Sequence, residues 1–163
     1  MTDNEKMTEL EWHRKQAAAL FNHTWDLIDK GENRTRLESN EMIHSAHASR
    51  YHWGVVVNSR KYPQTGPTNL ERGDWLISRV YSLLNIPQMS LYYAQQCLDT
   101  CLKEKIGDFD LAFAYEAMAR ANAIAKSSEE ASKYFKLAEK ASEAIAKEED
   151  KKYFLNELKS LEI

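Results

Sequence analysis

The stretch ISRVYSLLNIPQMSLYYAQQC at residues 77–97 aligns without a gap on MARANAIAKSSEEASKYFKLA at residues 118–138, 41 residues further along the chain. Ile77, Ser78 and Arg79 recur as Met118, Ala119 and Arg120, Tyr81 and Leu84 as Asn122 and Ala125, and Ser90, Ala94 and Cys97 as Ala131, Phe135 and Ala138. Each copy reads as two helices joined by a short turn. A hairpin repeated at fixed spacing marks an α-solenoid, because a single hairpin cannot bury its apolar face and stacks on the next. The recurring small residues fall where paired helices come closest and a bulky side chain would hold the backbones apart.

The expected fold is all-α, an α-solenoid of antiparallel hairpins with about seven helices. A chain of 163 residues suits one domain with a real core, and 5 Gly and 3 Pro leave little punctuation for a sheet. The formal charge is −3 and the acidic and basic residues are interleaved, so no basic patch is offered to nucleic acid phosphates or to an anionic membrane. No apolar run approaches the roughly 18 residues of a membrane helix, and Met1 to Lys6 lacks the apolar centre of a signal peptide. Nucleic acid and membrane are therefore not expected as partners, and the cytoplasm is the expected location. Cys97 and Cys101 lie four apart on one expected helix and lack the CxxC spacing of a redox or zinc site, which makes them buried, reduced thiols.

Working outward from the repeat, residues 1–58 form an N-terminal helical hairpin and 59–67 a linker containing Pro63, Gly66 and Pro67. Residues 68–146 hold the two repeated hairpins, and 147–163 a capping helix that covers the open end of the stack. The first helix is expected from about Thr8 to Lys30, with Gly31 as its stop, and the second from about Leu37 to Val57. Thr68 reads as the start of the third helix, with Glu71 completing a capping box. Pro87 precedes the fourth helix, and Asp108 is the expected N-cap of the fifth. Trp12, Trp25, Trp53 and Trp75 all fall within helices, as packing aromatics.

The repeats resemble tetratricopeptide repeats. The second copy carries Tyr115, Met118, Ala119, Ala131, Phe135 and Ala138 at that family's positions, with Asn122 in place of its tyrosine. The first keeps Ile77, Ser78 and Tyr81 but has Asp74 at the aromatic site and Ser90 and Ala94 at the alanine and phenylalanine sites. Neither copy has the closing proline, and the spacing exceeds the family's usual length of about 34, which implies longer helices. The likeness covers about residues 71 to 146, and Ala48-Ser49-Arg50 echoes the apolar-small-Arg triplet once more. His47 to Trp53 resembles a stretch of uncharacterised bacterial helical-repeat proteins, a likeness that implies no activity.

What the resemblance implies is binding of a protein or peptide in a concave groove made by the first helix of each hairpin. Trp75, Arg79, Glu116 and Arg120 are the expected groove residues. Arg79 and Arg120 occupy equivalent places, so they would form a cationic ladder suited to an acidic partner, with the face of Trp75 beside it. A second copy of the chain is a further partner class. Against the groove role, Glu116 lies four before Arg120 and could pair with it on the helix surface.

The rival reading is chemical. Across a turn near residues 33 and 34, antiparallel helices bring together residues whose numbers total about 67, which sets His23 against His44 and Asp26 against Glu41. His23-x-x-Asp26 and Glu41-x-x-His44 are one-turn spacings, and His47 adds a third imidazole. His23, Asp26, Glu41, His44 and His47 thus form a candidate site for one divalent transition metal, zinc, iron or manganese, in a hydrolase-like enzyme. Without a metal, the same residues would be a polar cluster joining the hairpin to the repeats, with no cofactor. A third reading is an intracellular ligand or signalling-peptide sensor that closes on its ligand in the groove. No residue carries an expected catalytic role: Ser45 and Ser49 sit in mid-helix without a nucleophile elbow, and glycine-rich phosphate motifs are absent.

Overall fold

In the computed structural model, residues 7–161 and 163 are described. The reading of the first six residues as lacking a signal peptide lies outside them. The described chain is all-α: α1 (Glu9–Asp29), α2 (Arg36–Ser59), α3 (Pro67–Leu83), α4 (Pro87–Glu104), α5 (Asp108–Ile124), α6 (Ser128–Ser142) and α7 (Glu148–Lys159). None of these helices is long and apolar enough to cross a membrane.

The first hairpin is set by its caps. Thr8 and Thr35 each accept the backbone N–H of a glutamate three residues on, Glu11 and Glu38, and each glutamate accepts the threonine's backbone N–H in return. The hydrogen bond from Lys30, and after it the Thr35 contacts, lower the Glu38 carboxyl to about 2. Lys30 meets Glu38 at the turn, the Thr24 and Ser45 hydroxyls lie 2.8 Å apart, and the Ser49 hydroxyl donates to the Ala17 carbonyl at 2.8 Å. At the open end His13 Nδ1 and His52 Nδ1 are 2.7 Å apart. Partners that descend α1 as they climb α2 define an antiparallel pair.

The 41-residue register extends beyond the quoted stretch. α3 and α5 start and stop at equivalent positions, and so do the starts of α4 and α6. The turns match as well: Asn85 and Lys126 both take left-handed backbone, with φ of 54° and 61°. In each turn the next N–H reaches five residues back at 2.9 Å, from Ile86 to the Tyr81 carbonyl and from Ser127 to that of Asn122. These bonds satisfy carbonyls that a helix end otherwise leaves orphaned.

Each helix packs mainly on its neighbours in sequence, with further contacts from α3 to α5 and from α5 to α7. This packing is compatible with stacked hairpins. One core joins α4 and α5 through Ala94, Cys97, Leu98, Ala114, Ala117 and Met118, and another joins the first hairpin to α3 through Leu27, Met42, Ala46, Leu76 and Val80. Cys97 and Cys101 are free and buried, in keeping with the reading of the sequence.

Three local expectations are corrected. α3 begins at Pro67, whose missing N–H costs nothing at a helix start. Asn69, not Glu71, accepts the Gly66 N–H there, at 3.0 Å, and Glu71 turns inward instead. The triplet Ala48-Ser49-Arg50 lies on the second helix of its hairpin, so it is no third copy of the repeat: Ser49 bonds to α1, and Arg50 reaches Asp74 of α3 at 2.8 Å. Gly73 makes that reach feasible, since a Cβ there would lie 2.6 Å from Arg50 Cδ. Trp12 packs at the open end of the first hairpin, edge-on to His13 and His52, and not in the core, being 46% exposed.

Candidate binding groove

The first helices of the hairpins and α7 border an open cavity of about 390 Å³. Phe21 and Trp25 of α1, Trp75 of α3, Phe109 and Phe113 of α5 and Tyr153 of α7 form its walls. Phe21 and Trp25, like Phe109 and Phe113, are one helical turn apart and so share a face. Trp25 and Trp75 stack with centroids 5.8 Å apart and an interplanar angle of 26°, and Trp75 meets Phe113 edge-to-face at 5.6 Å. Phe113 in turn contacts Phe109 and Phe154 at 4.6 and 4.9 Å, which fixes the wall to α7. Such aromatic pairs favour one ring orientation over others and hold the cavity open.

Charge enters at one side. Arg72 donates two hydrogen bonds to Asp110, Nε to Oδ1 at 2.7 Å and Nη2 to Oδ2 at 3.0 Å. Asp150, from the first turn of α7, adds a second carboxylate. Glu71 also lines the cavity but is buried: its Oε2 accepts the Cys97 thiol at 3.2 Å and that of Cys101 at 3.8 Å, and its Oε1 has no hydrogen-bond partner. Burial, with Cys101 and Asp110 adding, pushes the Glu71 carboxyl up to about 9.

Trp75, Arg79, Glu116 and Arg120 do come together on α3 and α5, yet only Trp75 lines the cavity. The other three form an ion network with Glu157 of α7. Arg120 Nε donates to Glu116 Oε1 at 2.7 Å, Arg79 Nη2 donates to Glu157 Oε2 at 3.2 Å, and Arg79 Nη1 lies 3.9 Å from Glu116 Oε1. The arginine side chains are 15% and 16% exposed and that of Glu116 only 1%. Burial and the neighbouring Arg120 pull Arg79 below the usual guanidinium value, against the pull of Glu116 and Glu157. Two guanidinium groups and two carboxylates balance, so the ladder is occupied by the protein's own acids. The predicted Glu116–Arg120 pair forms, inside the protein instead of on a solvated face.

The N-terminal residues separate. His23 Nε2 meets Glu41 Oε1 at 2.8 Å, one turn away from the expected partner His44, while His44 and Asp26 are exposed. His47 faces the other way: its Nε2 lies 3.0 Å from the Tyr81 hydroxyl, and its ring packs edge-on to Tyr93 at 5.3 Å. Burial, then His44, lowers the His47 pKa. The five residues therefore do not converge on a point, because α2 is rotated so that His47 meets α3 and α4 while Glu41 meets α1. Among the described residues, the group of potential metal ligands whose donor atoms all lie within 4.8 Å of one another is Glu71, Cys97 and Cys101.

Sequence reasoning missed most of the cavity. The pairs Phe21-x-x-x-Trp25 and Phe109-x-x-x-Phe113 are readable as aromatic i,i+4 faces, but nothing in the sequence says that α1, α5 and α7 bring them to one space. Comparison of the chain with protein-family models, curated proteins and solved structures finds no match.

Proposed function

We propose that the chain is a recognition module of the tetratricopeptide-like kind, which holds a segment of a partner protein or peptide in the groove between α1, α3, α5 and α7. The observation that carries this reading is the aromatic cavity beside Trp75. Six aromatic walls suit an apolar or aromatic side chain. The polar groups at its edge favour a basic neighbour over an acidic one, since Arg72 is committed to Asp110 and Arg79 and Arg120 to Glu116 and Glu157. A lysine or arginine set over Trp25 or Trp75 gains about 0.5 to 2 kcal/mol from the ring face, and Asp150 adds an opposite charge. The ligand we infer is a short segment with an aromatic or large aliphatic residue next to a lysine or arginine. The acidic partner expected from the arginine ladder loses its support once those arginines are paired internally.

A peptide array in which aromatic-basic, aromatic-acidic and scrambled segments compete for the labelled chain tests this. Selective retention of aromatic-basic segments by the wild type, and its loss in Trp75→Ala, is the expected result. Preference for acidic segments, or retention that Trp75→Ala leaves intact, would overturn it.

A further inference from the structure

The geometry points to a binding site for one zinc-class divalent cation made by Glu71 of α3 and Cys97 and Cys101 of α4, at the floor of the groove.

The donors are set for it. Cys97 and Cys101 are one turn apart on α4 and both turn toward Glu71, all three are essentially inaccessible, and their donor atoms lie within 4.8 Å of one another. A tetrahedral zinc ion with ordinary Zn–S and Zn–O bonds holds sulfur and oxygen about 3.5 Å apart. The two thiols lie at 3.2 and 3.8 Å from Glu71 Oε2, on either side of that separation. Glu71 Oε1 is buried with no hydrogen-bond partner, so one acceptor is unspent. The pair of thiolates and a carboxylate is a donor set that suits zinc over magnesium or calcium.

The repeat itself supplies a control for the bland alternative, that these residues merely pack. At the positions equivalent to Glu71, Cys97 and Cys101 the second copy carries Ala112, Ala138 and Ser142, all buried. The hairpin can thus be built with small side chains at these places. A buried carboxyl held by two thiols is a costly substitute, because S–H is a weak donor and the second carboxyl oxygen goes unpaired. A cation changes that balance. Binding of one divalent ion releases the carboxyl proton and two thiol protons to solvent and leaves a formal single negative charge. The Arg72 guanidinium, 3.9 Å from Glu71 Oε1, lies beside it. Glu71 is among the residues that line the groove, which sets the cluster at its floor.

The test uses the full tag-free chain, reduced and stripped of metal, with cobalt(II) as an optical stand-in for zinc. Cobalt is added to the folded protein and, separately, during refolding from urea, so that slow entry cannot mask binding. Thiolate-to-cobalt charge-transfer absorption that saturates at one equivalent and is displaced by zinc is the expected result. Cys97→Ala and Cys101→Ser, which place the second copy's residues in the first, should fold by circular dichroism and lose the band. Glu71→Gln should weaken binding by about tenfold or more, while His23→Ala and His47→Ala leave it unchanged. Absence of the band under both conditions, or its survival in the Cys97→Ala/Cys101→Ser double variant, would overturn the assignment.

Discussion

The hairpins α3–α4 and α5–α6 share a backbone register and differ in what fills it. Where the first has Ser78 and Ser90, each hydroxyl donating to the other's carbonyl at 2.9 and 3.1 Å, the second has Ala119 and Ala131. Gly73 and Asp74, which admit and bind Arg50, correspond to Ala114 and Tyr115. Trp75, a wall of the groove, corresponds to Glu116, the centre of the ion network, and Arg72 corresponds to Phe113. Shared positions therefore specify the hairpin, through small residues and turn geometry. The unshared ones are spent on neighbours: the first copy on α2, the acid–thiol cluster and the Trp75 wall, the second on the ion network with α7 and the Phe113 wall.

The largest consequence concerns Glu116. Replacing it with alanine leaves Arg79 and Arg120 facing one another with Glu157 as their remaining partner, at a cost of about 3 to 5 kcal/mol. Glu157→Ala, at the more exposed end of the same network, should cost under half as much. Urea unfolding of the two variants reads the difference. Equal losses would mean that α7, and not the buried carboxylate, holds the two copies in register.

Gly73→Ala and Ala114→Gly sharpen the contrast at one repeat position. The first should lose about 1 to 2 kcal/mol, because the new methyl collides with Arg50 and strains its pair with Asp74. The second should lose about 1 kcal/mol, for the different reason of helix propensity. Removing the Arg50 side chain as well should turn the first change favourable and leave the second unaltered, and thermal melts of the single and double variants decide it.

Acid should separate the N-terminal hairpin from the repeats, since all five histidines lie between residues 13 and 52. Burial, then His13, holds His52 below its ordinary value of 6.5, and burial, then His44, holds His47 below it as well. The unfolded chain takes up these protons first. The stability they contribute is complete above about pH 6.5 and is lost as pH falls through the folded values. His52 faces His13, Trp12 and Tyr51, with Glu9 3.9 Å from the far nitrogen of His13. His47 faces Tyr81 and Tyr93. Hydrogen exchange at pH 5 should show α1 and α2 losing protection before α5 and α6, and uniform loss would contradict this.

The smallest effect is expected where the first copy is converted to the second. Ser78→Ala with Ser90→Ala removes two hydroxyls that donate to backbone carbonyls, and should cost under about 1 kcal/mol by urea unfolding. A larger loss would show that the reciprocal bonds, and not the small size of the residues, set the approach of α3 and α4.

Register was legible in the sequence because it is local: helix starts, turns and the small residues at Ser78/Ala119 and Ser90/Ala131 recur at one spacing. Rotation of a helix about its axis was not. His44 and His47 are one turn apart, yet one is exposed and the other lodges against Tyr81, because α2 must present Met42, Ala46 and Ser49 inward and Arg50 toward α3. Glu71 looked like a capping residue because Thr68 stands three before it; Pro67 and Asn69 had already satisfied that helix end. Of the groove, Trp75 was readable, but the pairing of Arg79 with Glu157 spans almost half the chain and depends on where α7 lies.

The groove is tested most directly by the indole N–H signals of the four tryptophans. Nitrogen-15-labelled chain is titrated with a phenylalanyl-lysine amide and followed by heteronuclear NMR, with signals assigned by single substitutions. The account predicts saturable shifts at Trp25 and Trp75, none at Trp12 or Trp53, and no response to a phenylalanyl-glutamate amide. Shifts centred on Trp12, equal response to the acidic dipeptide, or none at Trp25 and Trp75 would contradict it.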